Sequence, residues 1–170
     1  MERRNLELKA RCPDLDLARQ RLQSLTPRPG GVELQTDTYF QVPHSRLKLR
    51  EIDGQAAFLI GYQRPDHTAA RISAYHLVPV PDAALLKAAL SATLGIRGEV
   101  RKRREILFWH NVRIHLDEVV NLGTFLEFEA VLAANDELTV AQARLDELSG
   151  LLEIAPGDRL AVSYSDLLGW

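Results

Sequence analysis

The chain has 170 residues, 46% of them hydrophobic, enough for one cored domain and too few for a second of full size. Lysine and arginine total 21 against 23 aspartates and glutamates, and the net charge of −2 argues against general binding to nucleic acid or to a membrane surface. Cys12 is the sole cysteine, which excludes an intramolecular disulfide and a cysteine-rich zinc site.

The N-terminal residues Met1-Glu2-Arg3-Arg4-Asn5 are not followed by the apolar run of a signal peptide, and no apolar stretch reaches the roughly 18 residues of a membrane span. A cytoplasmic protein is expected. Apolar and charged residues then alternate over 5–12, predicting a strand with Leu6, Leu8 and Ala10 on one face and Glu7, Lys9 and Arg11 on the other. Leu15, Ala18, Leu22 and Leu25 fall at helical spacing, with Asp14 placed to cap the first turn. Pro27-Arg28-Pro29-Gly30-Gly31 has the composition of a loop. Strands follow over 33–41 and 45–52, where Lys48 and Arg50 oppose Leu47 and Leu49, and Asp53-Gly54 turns the chain into a strand over 56–64. A further strand spans 70–79. Leu86, Ala89, Leu90 and Leu94 predict a second amphipathic helix, opened by Asp82.

Alternation resumes over 99–109, 112–119 and 123–132. Arg113, His115 and Asp117 oppose Val112, Ile114 and Leu116; Glu127 and Glu129 oppose Leu126, Phe128 and Ala130. A third helix is predicted from Leu138, Ala141, Leu145, Leu148 and Leu152. There is no internal repeat or low-complexity tract, so residues 1–170 read as one domain, mainly β with three helices.

Most of the predicted strands have an ionic face, and two architectures accommodate that. The commoner is an open antiparallel sheet with its charged face in water and its apolar face under the helices. The alternative is a closed barrel, for which about eight strands suffice, with helices over an apolar outer wall and charges lining a tunnel. Such a tunnel must be wet or filled, because an unpaired buried ion costs several kcal/mol. Its inward set would comprise Lys9, Arg11, Lys48, Arg50, Arg64, Arg71, Lys102 and Arg104 against Glu7, Asp117, Glu127 and Glu129. A triphosphate carrying a divalent metal satisfies both groups, since guanidinium and ammonium donate to phosphate oxygens while carboxylates hold the hard cation.

Other signals have plainer readings. His44, His67, His76, His110 and His115 show no metal-ligand spacing and read as surface or packing residues. Strand geometry splits Arg101-Lys102-Arg103-Arg104 between two faces, which removes it as a nucleic-acid patch. Tyr39, Phe40, Trp109 and Trp170 read as packing groups. Gly30-Gly31 lacks the pattern of a P-loop.

Asn5-Leu6-Glu7-Leu8-Lys9 resembles the E-x-E-x-K opening strand of the CYTH family, the group of class IV adenylyl cyclases and thiamine triphosphatases. Further strings follow in family order along nearly the whole chain: Asp37-Thr38-Tyr39-Phe40, Leu47-Lys48-Leu49-Arg50-Glu51, Leu59-Ile60-Gly61-Tyr62-Gln63-Arg64, Arg71-Ile72-Ser73-Ala74-Tyr75 and Lys102-Arg103-Arg104. Ile114-His115-Leu116-Asp117, Leu122-Gly123-Thr124-Phe125-Leu126-Glu127-Phe128-Glu129 and Ser163-Tyr164-Ser165-Asp166-Leu167-Leu168 complete the pattern. The resemblance is strongest to the class IV cyclase branch.

It implies a closed antiparallel eight-stranded β-barrel tunnel with peripheral helices, binding a small-molecule triphosphate with Mg²⁺ or Mn²⁺, and no nucleic acid or membrane. Glu7, Glu127 and Glu129 would be metal ligands. Lys9, Lys48, Arg50, Arg64, Arg71, Lys102 and Arg104 would clamp the phosphates, with Asp117, Lys102 and Arg104 at the reacting group. The implied activity is conversion of ATP to cyclic AMP and pyrophosphate. The alternatives are hydrolysis of inorganic, thiamine or nucleoside triphosphate, and a non-catalytic polyphosphate- or nucleotide-binding protein. Asn5 departs from the motif: a neutral amide stands where the family has glutamate, so weaker metal binding, with one ion retained, is expected. Whether the chain pairs into a homodimer is left open.

Overall fold

The computed structural model describes residues 3–63, 69–133 and 136–170. Eight strands, β1 (Arg3–Arg11), β2 (Arg28–Phe40), β3 (Arg46–Ile52), β4 (Ala56–Gln63), β5 (Arg71–Pro79), β6 (Ile96–Trp109), β7 (Val112–Val119) and β8 (Gly123–Leu132), pair antiparallel in the order β1-β5-β4-β3-β2-β6-β7-β8. β8 closes on β1, from Arg4 opposite Leu132 to Arg11 opposite Phe125. Every strand therefore has two neighbours and no edge is left to pair with another chain.

Closure decides between the two architectures left open by alternation. The apolar rows point outward: Leu6, Leu8 and Ala10 of β1, Val112, Ile114 and Leu116 of β7, and Leu126, Phe128 and Ala130 of β8 form one buried cluster. That wall is covered by α1 (Leu15–Leu22) through Leu15, Ala18 and Leu22, and by α3 (Leu138–Leu151) through Ala141, Leu145 and Leu148. Full burial of a leucine such as Leu145 contributes about 1.5–3 kcal/mol, so this interface is the main apolar core. Asp14 accepts a hydrogen bond from Leu17 N, and Asp82 one from Leu85 N, capping α1 and α2 (Ala83–Leu94). The α2 helix buries no residue fully; Lys87 ties it to the barrel by bridging Glu51 at 3.0 Å and Glu99 at 3.1 Å. Among the described residues no helix is long and apolar enough to cross a membrane.

The expected loop over 27–31 is instead the start of β2. Arg28 and Pro29 pair with Phe108 and Leu107, and a bulge skips Gly30 before Gly31 resumes opposite Ile106. A Cβ on Gly30 would lie 2.5 Å from the Phe108 ring, and Gly31 has φ +102°, so the glycines serve close approach and a bulge within a strand. Leu25, expected in the first helix, lies in a separate 3₁₀ turn, Gln23–Leu25.

The inner faces of the strands fall into three layers. At one end Tyr39, Val100, Val119 and Phe125 make an apolar floor with Tyr164 of α4 (Tyr164–Leu167), against which Leu160, Leu167, Leu168 and Trp170 pack. The Trp170 ring occupies the space a Cβ on Gly98 would need, 2.0 Å away. Leu160 N donates to Lys9 O at 2.9 Å and Asp166 pairs with Arg46 at 2.9 Å, fastening this C-terminal stopper to the wall. Charged residues fill the middle layer. Ile52, Phe58, Leu77, Ile106 and Phe108 line the far end.

Candidate active site

Strand alternation sends the middle layer into a cavity of about 370 Å³. Its wall takes Asn5, Glu7 and Lys9 from β1, Asp37 from β2, Lys48 and Arg50 from β3, Lys102 and Arg104 from β6, Arg113 and His115 from β7, and Glu127 and Glu129 from β8. Asp37 is its cationic hub. Its carboxylate accepts from Lys48 Nζ at 2.9 Å, Arg50 Nε and Nη2 each at 2.7 Å, and Lys102 Nζ at 2.9 Å. Burial raises the pKa of this carboxyl, but Arg50, Lys102 and Lys48 overcome that and hold it well below the usual range. Burial, together with repulsion from Arg50, Arg104 and Lys48, brings Lys102 down to about 7 despite the attraction of Asp37.

A second hub surrounds Arg104, which grips Asp117 through Nε at 2.7 Å and Nη2 at 2.6 Å while Nη2 also donates to Glu127 Oε2 at 2.6 Å. Lys9 reaches Glu127 Oε1 at 3.2 Å and lies 3.7 Å above the Tyr164 ring. The Tyr164 hydroxyl donates to Asp117 at 2.7 Å. Burial opposes ionisation of Glu127, yet Lys9 and Arg104 keep its pKa well below normal. The third group lies nearer the open end: Arg113 pairs with Glu129 at 2.8 Å. Oriented so that both its ends are satisfied, the Asn5 amide accepts from Arg113 at 2.9 Å and donates to Arg4 O at 3.0 Å.

Lys9, Lys48, Arg50, Lys102, Arg104, Glu7, Glu127 and Glu129 thus share the cavity wall. Asp117, fully buried, lies beneath that wall and meets Arg104 and Tyr164. Arg71 is buried toward the stopper, where Nη1 donates to Leu160 O at 3.0 Å. Arg11, expected in the lumen, is solvent-exposed at the end of β1, 5.6 Å from the Phe125 ring. Arg64 and His67 lie outside the described residues. His44, His76 and His110 are exposed, whereas His115 is 4% exposed and stands inside the barrel.

A family model described as the CYTH domain matches residues 3–164. The chain belongs to the CYTH family. The protein PH1012 from Pyrococcus horikoshii OT3 shares the fold at a TM-score of 0.83 and 22% identity, over 96% of this chain and 98% of that one. A Vibrio parahaemolyticus protein provisionally assigned as an adenylate cyclase aligns at a TM-score of 0.77 and 21% identity, over 98% of each chain. HpAC1 from Hippeastrum, provisionally an adenylyl cyclase and reported with a dominant triphosphatase activity, aligns at 0.66 and 17% identity, over 98% and 93%. A comparison with curated proteins gave no match.

Within this CYTH barrel, His115, Glu127 and Glu129 each bring one donor atom within 4.8 Å of the others, and that set of imidazole plus two carboxylates fits a divalent cation. Glu7 lies across the β1–β8 ladder from Glu129, outside this group. Asp37, Arg113 and His115 were not among the residues expected to form the site. Asp37 could have been found from the alternation of Glu33, Gln35, Asp37 and Tyr39 along one strand face. His115 carries no such signal, because its partners are on the next strand.

Proposed function

We propose that the barrel is a metal-dependent enzyme acting on an organic triphosphate, and that its reaction is the conversion of ATP to cyclic AMP and pyrophosphate. The excess of cation around Asp37 carries this reading: Lys48, Arg50 and Lys102 converge on one carboxylate inside the cavity, leaving positive charge for a polyanion. The apolar rim of Ile52, Phe58, Leu77, Ile106 and Phe108 favours an organic group on that triphosphate over inorganic triphosphate.

In this reading Lys9, Lys48, Arg50 and Arg104 hold the phosphates. Asp117 fixes the plane of the Arg104 guanidinium through two hydrogen bonds. A divalent ion, Mg²⁺ or Mn²⁺, held by Glu7, Glu127 and Glu129 would neutralise charge on the phosphate oxygens. The ribose 3′-oxygen attacks the α-phosphorus; that O–P bond forms as the bond to the bridging oxygen breaks, and pyrophosphate leaves with the electron pair. Lys102, beside Asp37 at the bottom of the cavity, joins the phosphate clamp, and the 3′-hydroxyl proton leaves to water on the open side. The chain acts as one cytoplasmic domain.

Hydrolysis is the second reading, favoured by the dominant triphosphatase activity of the Hippeastrum relative. The same cradle would then orient water toward the terminal phosphorus. The test is turnover of ATP, inorganic triphosphate and thiamine triphosphate with Mg²⁺ or Mn²⁺ at neutral and alkaline pH, with Glu127→Ala as control. Cyclic AMP and pyrophosphate, lost in the variant, are expected. Orthophosphate would transfer the protein to the hydrolase reading, and triphosphate bound without turnover would make it a binding protein.

A further inference from the structure

His115 stands on β7 directly opposite Glu127 on β8, with Glu129 two residues farther along the same face. Its side chain is 4% exposed, and its Nδ1 has no hydrogen-bond partner. Glu127 Oε2, at 3.8 Å, and Glu129 Oε1, at 4.0 Å, are beyond hydrogen-bond reach yet flank that nitrogen. A buried polar atom without a partner is costly, so its place in a charged cavity calls for a ligand.

The neighbouring strand β1 points the same way. Asn5 contributes a neutral amide to the lumen, and that amide is engaged with Arg113 and Arg4. The three donor groups that come together are on β7 and β8 and include one nitrogen. Replacing a hard oxygen donor by imidazole raises affinity for transition metals relative to Mg²⁺.

We propose that His115 coordinates the divalent ion of this barrel through Nδ1, beside Glu127 and Glu129, and that this nitrogen makes the site prefer Mn²⁺ or Co²⁺ to Mg²⁺. The inference rests on the reading of the barrel as metal-dependent and adds a ligand and a metal preference to it.

The experiment uses the full chain stripped with chelator and reloaded with Mn²⁺ alone. Electron spin-echo modulation of the bound Mn²⁺ is expected to show coupling to a directly bound ¹⁴N, absent in His115→Gln. Calorimetric titration is expected to give a loss of about 10- to 100-fold in Mn²⁺ affinity in that variant, at least the effect of disturbing a ligand's support, with a smaller loss for Mg²⁺. Mn²⁺ that binds without ¹⁴N coupling, Mn²⁺ that fails to bind, or an unchanged ratio of Mn²⁺ to Mg²⁺ affinity would overturn the inference. The spectrum of the unaltered protein decides the ligand even where His115→Gln does not fold. Triphosphate turnover without ¹⁴N coupling overturns this inference and leaves the enzyme reading standing. Coupling without turnover supports this inference while the enzyme reading fails.

Discussion

Lys102 and Asp37 form an ion pair of 2.9 Å between neighbouring strands, each side chain only 1% exposed. Removing the acid leaves Lys48, Arg50 and Lys102 facing one another, and breaking one side of a buried pair costs about 3–5 kcal/mol. Asp37→Asn is therefore expected to lower the urea midpoint, and added inorganic triphosphate to recover part of the loss. Recovery is the diagnostic result, because an anion can replace the missing charge only if the cations remain gathered.

The depressed lysine makes stability depend on pH in a defined direction. Between about 7, its value in the folded protein, and 10.5, its ordinary value, the unfolded chain binds more protons at this group than the folded one. Stability from this group then rises with pH across that window and is lost as pH falls toward 7. Urea midpoints at pH 7 and pH 9, compared between the unaltered chain and Lys102→Met, should show a larger increase in the unaltered chain.

Asn5 and Glu129 both contact Arg113. In Asn5→Glu the new carboxylate competes for that guanidinium and releases an oxygen of Glu129 toward the cavity. Tighter Mn²⁺ binding by calorimetry is expected, and an unchanged affinity would count against a metal at this end of β8.

At the stopper, Gly98→Ala places a methyl group 2.0 Å from the Trp170 ring. Overpacking of this kind costs about 1–3 kcal/mol, and the ring must shift to relieve it. The expected readout is a lower thermal midpoint with altered near-ultraviolet circular dichroism. Leu145→Ala, in the core outside the barrel, should cost about 2–5 kcal/mol while leaving the triphosphate KM unchanged.

Much of this was legible because period-two alternation records which face of a strand each residue takes. Lys9, Lys48, Arg50, Lys102, Arg104 and Glu127 were placed together on that basis with the family motifs, and the caps Asp14 and Asp82 followed from local chemistry. The start of β2 was misread because Pro29, Gly30 and Gly31 have turn composition, while the reason for glycine there is the approach of Phe108, far along the chain. The place of His115 beside two carboxylates was hidden for a related reason. Ligand spacing along a strand is visible in sequence, but the pairing of His115 with Glu127 depends on the register between β7 and β8. The position of Trp170 against Gly98 is likewise a long-range contact with no periodic signature.

The stopper gives the lumen a polarity that an open pipe lacks. Cations crowd the end beside the floor of Tyr39, Val100 and Phe125, and apolar side chains ring the other. In the proposed reaction the polyphosphate goes to the bottom and the organic product lies above it, so cyclic AMP departs toward the apolar end before pyrophosphate can follow. Pyrophosphate should then compete with ATP for the empty protein, while cyclic AMP should rebind only above retained pyrophosphate.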